Sequence, residues 1–305
     1  MIHHADDLDI RIFKELGNPD QLQWNVRETY SSIAGRLGID EETVRRRLKQ
    51  AERLGSLPGW KMLVNPQLIG CKAASIHFKV RDEGMKSEVI SELRRMDGIV
   101  KILNFHGDKL LLTLYYQDVG SLQTKVDHII SVSDSPQPDV WELTFPEPQI
   151  KTTSTDWMII GSMLDDARKS LKVVSESVEV PERTVERRLN KLTEGNAVYL
   201  QGMPNFSKFV GLSCVFIIYC PEEKDKRTVD RVIHSTVRRI ELANTGAKQY
   251  STFVTLFDNL AESVNFNDWI NGLEGVKRVS MGIMKELIIE QEWLQKEIRK
   301  RQRAR

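Results

Sequence analysis

Two arginine-rich hexapeptides hold the side chains best equipped for chemistry, "TVRRRL" at residues 43–48 and "TVERRL" at residues 184–189, 141 positions later. A guanidinium is a rigid fork of donors that pairs bidentately with a guanine edge or a phosphate. In the first copy Val44, Leu48 and Ala51 recur at i, i+4, i+7, the spacing of a buried helical stripe. At about 100° per residue, Glu42, Arg46, Lys49 and Arg53 then lie on the opposite face. In the second copy Val185, Leu189 and Leu192 form the stripe, and Arg183, Arg187, Asn190 and Glu194 face outward. Arg183 and Arg187 are the candidates for base-edge contact in the second copy. Arg46 leads in the first, with Arg45 and Lys49 directed at phosphates. Thr43, Arg53, Thr184 and Lys191 complete the candidate set. Arg47 and Arg188 project toward the core side, where pairing with acids of the preceding helices is expected.

Other chemistry is thinly represented. No P-loop, G-x-S-x-G, zinc spacing or dinucleotide glycine motif occurs, so no catalytic residue, metal or cofactor is assigned. Cys71, Cys214 and Cys220 are odd in number and lack ligand spacing, which suits packed thiols. The 305 residues are 40% hydrophobic and 29% charged with a net charge of +1, so a polyanion partner has to be met by local clusters. No apolar run approaches the roughly 18 residues needed to span a bilayer. The start, "MIHHADDLDI", has acids where a secretory signal needs a basic end and an apolar stretch. The expectation is a cytoplasmic protein with no membrane partner.

The elements that must hold the arginines are duplicated with them. Shifted by 141, "GIDEETVRRRLKQAERLGSL" meets "EVPERTVERRLNKLTEGNAV", and "NPQLIG" meets "FSKFVG". "DIRIFKEL" resembles "DWMIIGSML", with about six extra residues after it in the first copy. Each copy opens with three helical patterns. Gly38 ends the second, Asp40 caps the third, and Pro181 suits a first helical turn. A turn and an extended stretch then predict a strand pair, the wing. The period next changes to strand 73–80, helix 85–96, strand 100–105, strand 109–116, helix 121–130 and strand 140–145, a βαββαβ ferredoxin-like order. The second copy repeats it from residue 212 to about 285. "KLLLTLYY" is apolar on both faces, so a second sheet is expected against it. The fold class is α+β, two tandem copies of winged helix-turn-helix followed by βαββαβ. The boundaries are 1–66, 67–148, 149–206, 207–290 and a basic helical tail at 291–305, read as a solvated helix end. The linker is placed at 145–155.

The stretch "IAGRLGIDEETVRRRLKQAERLGSLPGWKMLVNPQLIG" resembles the DNA-binding segment of the Lrp/AsnC feast/famine regulators, whose pattern runs through "LG–x–x–x–x–TV–x–RR", a "GxI–x–GY" wing and a "P–x–x–LG" hinge. The second copy lacks the leucine-glycine and the aromatic of the wing. The resemblance implies a transcription regulator binding double-stranded DNA through paired recognition helices. It also implies a RAM-type effector domain sensing an amino acid or related metabolite. Family effector domains often show a "G–x–x–D" or "G–x–D" turn before the third strand, and at that place the first copy has Gly107–Asp108, while the second has Gly246 and no acid. Family members usually hold one copy and dimerise, so the tandem chain is expected to act as an intrachain pseudo-dimer, with further self-association left open. Siroheme decarboxylases share the plan, and His77, His106, Tyr115 and Tyr116 are the side chains such an enzyme could use. A third alternative is an architectural protein whose helix-turn-helix units do not read DNA.

Overall fold

The computed structural model describes residues 6–18, 23–24, 28–237, 240–244 and 246–303. The first copy opens with α1 (Asp7–Leu16), the short pair β1 (Gly17–Asn18) and β2 (Gln23–Trp24), α2 (Tyr30–Leu37) and α3 (Glu41–Leu54). Thr29 starts α2 by accepting from the Ser32 amide, and Gly38 stops it in the left-handed region. Asp40 caps α3 by accepting from the Thr43 amide at 2.7 Å. The stripe Val44, Leu48 and Ala51 is buried as the spacing requires.

The strand β3 (Trp60–Val64) and a 3-10 turn (Pro66–Ile69) lead into β4 (Lys72–Lys79), α4 (Lys86–Arg95), β5 (Ile99–Phe105), β6 (Lys109–Tyr116), α5 (Val119–Ser133) and β7 (Asp139–Leu143). The second copy repeats the series as α6 (Ser154–Met163), α7 (Leu171–Val178), α8 (Glu182–Glu194), β8 (Val198–Gly202), β9 (Leu212–Tyr219), α9 (Glu223–Thr236), β10 (Ile240–Asn244), β11 (Tyr250–Phe257), α10 (Leu260–Asn271) and β12 (Arg278–Ile289). A last helix, α11 (Glu292–Arg303), follows. Within each module the strand order is β5-β6-β4-β7 or β10-β11-β9-β12, the same order twice. One face of each packs on its two helices, through Ile76, Phe78, Leu112, Val89 and Leu93 in the first and Phe216, Ile218, Phe253, Val229 and Ile233 in the second.

The chain forms two compact units that do not follow the two copies. The first holds residues 1–58, 103–109 and 204–287; the second holds 59–102, 110–203 and 288–305. Each unit therefore combines the helix trio of one copy with most of the sheet module of the other. In the first unit Phe13 of α1 meets Phe209 edge-on, with centroids 6.1 Å apart. The same unit holds the turn after β5, where the His106 amide donates to the Ile283 carbonyl at 2.8 Å. Lys109 reaches the Ser280 hydroxyl and the Met281 carbonyl there. Gly282 is needed at this point, because a Cβ on it would lie 2.8 Å from the Phe105 ring.

In the second unit the wing departs from expectation. Among the described residues, neither β3 nor β8 pairs with a return strand of its own copy. Instead β3 pairs antiparallel with β8, Trp60 opposite Gly202, Lys61 opposite Gln201 and Val64 opposite Val198. Adding the repeat interval to one strand returns the same ladder, so the register has two-fold symmetry. The physical reason is length. β3 is five residues long and passes at once into the Pro66 turn, which leaves no return strand to satisfy its amides.

Asn65 anchors the end of this ladder. It is fully buried, and its side-chain amide donates to the carbonyls of Pro146 (2.9 Å) and Asn196 (2.8 Å) and to the Tyr199 hydroxyl (3.2 Å). Its carbonyl oxygen accepts from the Gln67 amide. Tyr115 donates to the Val64 carbonyl at 2.8 Å, and rings of Phe145, Tyr199 and Trp293 close round it. Burial pushes Tyr199 up to about 12. The terminal helix is docked rather than solvated. Leu294 and Ile298 are buried, Gln302 donates to the Trp157 carbonyl, and Arg301 lies 5.7 Å over the Trp157 ring.

Replacing Asn65 by Ala should lower stability by about 3 kcal/mol, because several buried groups lose their partner together. Urea unfolding followed by far-UV circular dichroism checks this, and Gln67→Ala at the exposed neighbour should cost less than about 1 kcal/mol.

Candidate nucleic-acid interface

The third helix of each trio is held from behind by one arginine and one buried acid. In the first unit Arg47 donates to Asp6 at 2.6 Å and to Asp9 at 3.4 Å, with Asp9 only 2% exposed. In the second unit Arg188 donates to Asp156 at 3.0 Å and to the Thr153 hydroxyl at 3.0 Å, with Asp156 also 2% exposed. Both arginines are thus committed to the first helix of their trio, as their position on the inner side of the stripe predicts. A buried carboxylate needs such a partner, and the pairing sets the rotation of α3 and α8 about their own axes.

The outward faces differ between copies. On α3, Arg46, Lys49 and Arg53 are exposed, and Thr43 is partly exposed with its hydroxyl on Asp40 at 2.7 Å. The Thr43 hydroxyl and amide, with Arg46 close by, hold the Asp40 carboxyl below its usual range. Arg45 is engaged within its own trio. It contacts Glu41 at 2.5 Å and Glu42 at 2.9 Å, and its guanidinium lies 5.5 Å over the Tyr30 ring. On α8, Arg183, Arg187, Asn190 and Lys191 are exposed and Thr184 is partly so. Among the described residues the side chains of Arg183, Arg187 and Lys191 have no ion-pair or hydrogen-bond partner. A helix face of this kind, with free guanidinium forks one turn apart, can meet base edges or phosphates without first breaking an internal bond.

Sequence reasoning did not anticipate Tyr30. Its signal lay in an aromatic placed at the first position of α2, where Arg45 of the next helix reaches it. Gly107 adopts φ 78 in the turn after β5, and Asp108 beside it is partly exposed. In the second copy Gly246 begins the equivalent stretch, where Ala247 is buried. His77 and Asp139 are opposed on β4 and β7 with Nδ1 and Oδ2 3.5 Å apart, and Tyr115 is spent on Val64.

No family model matches the chain. Among curated proteins, the HTH-type transcriptional regulator Ptr1 of Methanocaldococcus jannaschii is 27% identical over 103 residues, covering 34% of this chain and 66% of that protein. The HTH-type transcriptional regulator LrpA of Pyrococcus horikoshii is 27% identical over 100 residues, covering 32% of this chain and 70% of that protein. Over about a third of its length the chain is thus similar in sequence to transcriptional regulators of LrpA type. The Lrp/AsnC-type match spans about two thirds of those relatives' own length. Among solved structures, the siroheme decarboxylase NirDL covers 96% of this chain and 97% of its own at a TM-score of 0.57 and 15% identity, a likeness of fold. That likeness of fold runs over both copies of the chain.

The two classes of arginine on α3 and α8 should separate in unfolding experiments. Arg188→Ala leaves Asp156 buried without its cation and should cost about 3 kcal/mol. Arg183→Ala and Arg187→Ala should stay within about 0.5 kcal/mol of the parent. Guanidinium titrations of the three variants check both statements.

Proposed function

We propose that the chain is a sequence-specific, DNA-binding transcription regulator of Lrp/AsnC type, acting as an intrachain pseudo-dimer on double-stranded DNA. The observation that carries this reading is the pair of α8 arginines, Arg183 and Arg187, presented outward and unpartnered on a helix whose other arginine locks it in place. Arg46, Lys49 and Arg53 give α3 the matching outward face, with Thr43, Thr184, Asn190 and Lys191 as flanking contacts. The two-fold register of β3 on β8 supports the pseudo-dimer, because it relates the two copies as subunits of a dimer would be related. The regulator names of the relatives support DNA binding without enzymatic activity.

The preferred site is asymmetric. A homodimer reads a palindrome because its two helices are identical. Here Glu42 stands against Arg183, Arg45 against Glu186 and Arg53 against Glu194. Selection from a random DNA pool should return two unlike half-sites about one helical turn, or a multiple, apart. Arg183→Ala with Arg187→Ala should relax sequence preference in one half only, at about 1–3 kcal/mol for each guanine pairing removed. Lys49→Ala should weaken binding about uniformly across sequences and reduce the salt slope by about 0.9, the share of one phosphate left without its cation. Glu41→Gln with Glu42→Gln should tighten binding, because Arg45 is then released toward phosphates. A palindromic consensus in which both halves depend on Arg183 would defeat the pseudo-dimer and leave a dimer of chains.

The effector reading rests on the resemblance and on the Gly107–Asp108 turn, where an open backbone and a carboxylate could hold an amino-acid ammonium. Thermal shifts with the common amino acids should be smaller for Asp108→Ala than for the parent. A second reading, an enzyme on the same fold, is favoured by the whole-chain likeness to NirDL. Visible absorbance from a tetrapyrrole retained by the purified protein would support it over regulation.

A further inference from the structure

The face of β4, β5 and β6 that alternates with the α4/α5 core carries a set of polar residues in the first module. Ser75 and His77 alternate with Ile76 and Phe78, Thr113 lies between Leu112 and Leu114, and Lys101 precedes Ile102. Ser75 and Thr113 are buried, at 3% and 6% exposure. Ser75 stands opposite Trp141 on β7. In the second module the equivalent residues Val215 and Val254 are directly opposed, so the duplicated register sets Ser75 against Thr113. In the second module Leu242, the counterpart of Lys101, stands opposite Val254 just past a register shift in β10, so the same register brings Lys101 level with Thr113. Lys101, Thr113, Ser75 and Trp141 therefore make one row across four strands, an ammonium, two hydroxyls and an indole.

The fold does not demand this row. Its counterpart in the second module is Val254, Val215 and Gly282, all apolar. Among the described residues, the Lys101 ammonium and the Ser75 and Thr113 hydroxyls have no hydrogen-bond or ion-pair partner. Lys101 lies deep in the protein yet keeps part of its surface accessible, and burial pushes it down to about 8. A desolvated cation without an anion is costly, and an apolar row would be more stable.

We propose that this row is a binding site for a small organic anion, whose carboxylate pairs with Lys101 while the Thr113 and Ser75 hydroxyls donate to it and Trp141 walls the site. It is separate from the Gly107–Asp108 turn and from α3 and α8, so it stands whether or not the chain reads DNA. His77, held by Asp139, flanks the row one step along β4. Tyr115, next along β6 on the same face, holds the Val64 carbonyl and thereby links the row to the wing.

The test is a thermal-shift series on the full chain with acetate, pyruvate, succinate, citrate, L-glutamate and L-leucine, and with sodium chloride as the ionic-strength control. The parent should respond saturably to at least one of the carboxylates, by about 2–4 °C. Lys101→Met should melt higher than the parent without ligand, because an unpaired cation is gone, and should lose the response. Ser75→Val with Thr113→Val, which copies the second module, should keep the fold and weaken binding about tenfold. A parent unmoved by all six, a Lys101→Met that responds as the parent does, or a Lys101→Met that melts lower would each overturn the site. A mobility shift with genomic DNA, run alongside, reads the DNA-binding proposal separately.

Discussion

Backbone amides that are buried must be hydrogen-bonded, and β3 and β8 have no return strand in their own copies to do it. Each therefore completes the other, with Val64 opposite Val198 and Trp60 opposite Gly202. Much of the second unit is organised round this ladder. Asn65 closes its end by gathering the carbonyls of Pro146 and Asn196 with the Tyr199 hydroxyl. Gln291, buried just before α11, donates to the Met62 and Leu164 carbonyls and so ties the last helix to the same strand. The Met62 amide, in turn, donates to Leu164, and the Ala167 amide donates to Trp60. The linker, the second helix trio and the terminal helix thus converge on a strand of five residues.

The same arginine-rich hexapeptide serves two opposite physical purposes in each copy. Arg47 and Arg188 are withdrawn to neutralise a buried aspartate, and this fixes which face of α3 and α8 turns outward. Their neighbours Arg46 and Arg187 are left for solvent or a partner. The copies diverge in how much of that outer charge is already spent. Arg45 is paired twice and lies over Tyr30, whereas Arg183 and Arg187 carry no internal obligation. Electrostatically, α8 offers Arg183 and Arg187 directly to an anionic partner, whereas on α3 Arg45 has first to leave Glu41 and Glu42.

Local features were the ones legible in the sequence. The stripe Val44–Leu48–Ala51, the Asp40 cap, the Gly38 stop and the βαββαβ order all depend on contacts within a few residues or on strand alternation. The inward pairing of Arg47 and Arg188 was also readable, since helical geometry places them on the core side. The intercopy ladder was not. A five-residue apolar stretch signals a strand but not its partner, and here the partner lies more than a hundred residues away. The docking of α11 was hidden for a similar reason. Its charge dominates the composition, while only Leu294 and Ile298 mark the buried side. Lys101 went unnoticed because one lysine among apolar strand residues looks like an edge, and β6 covers that side of β5 in the module.

The chain's two compact units each draw on both copies, and this has a consequence for how such a protein can change. In a homodimer every substitution is inherited twice, once per subunit, so a polar residue tried on one inner sheet face is imposed on the other as well. Covalent duplication removes that coupling, and Ser75 and Thr113 can persist where Val215 and Val254 stand in the sister module. Yet the freedom is one-sided. Because neither unit is complete without segments from both halves, deleting a copy would leave a helix trio without its sheet and a sheet without its helix trio. The halves can drift apart in chemistry, but a single copy would have to borrow its missing half from a second chain.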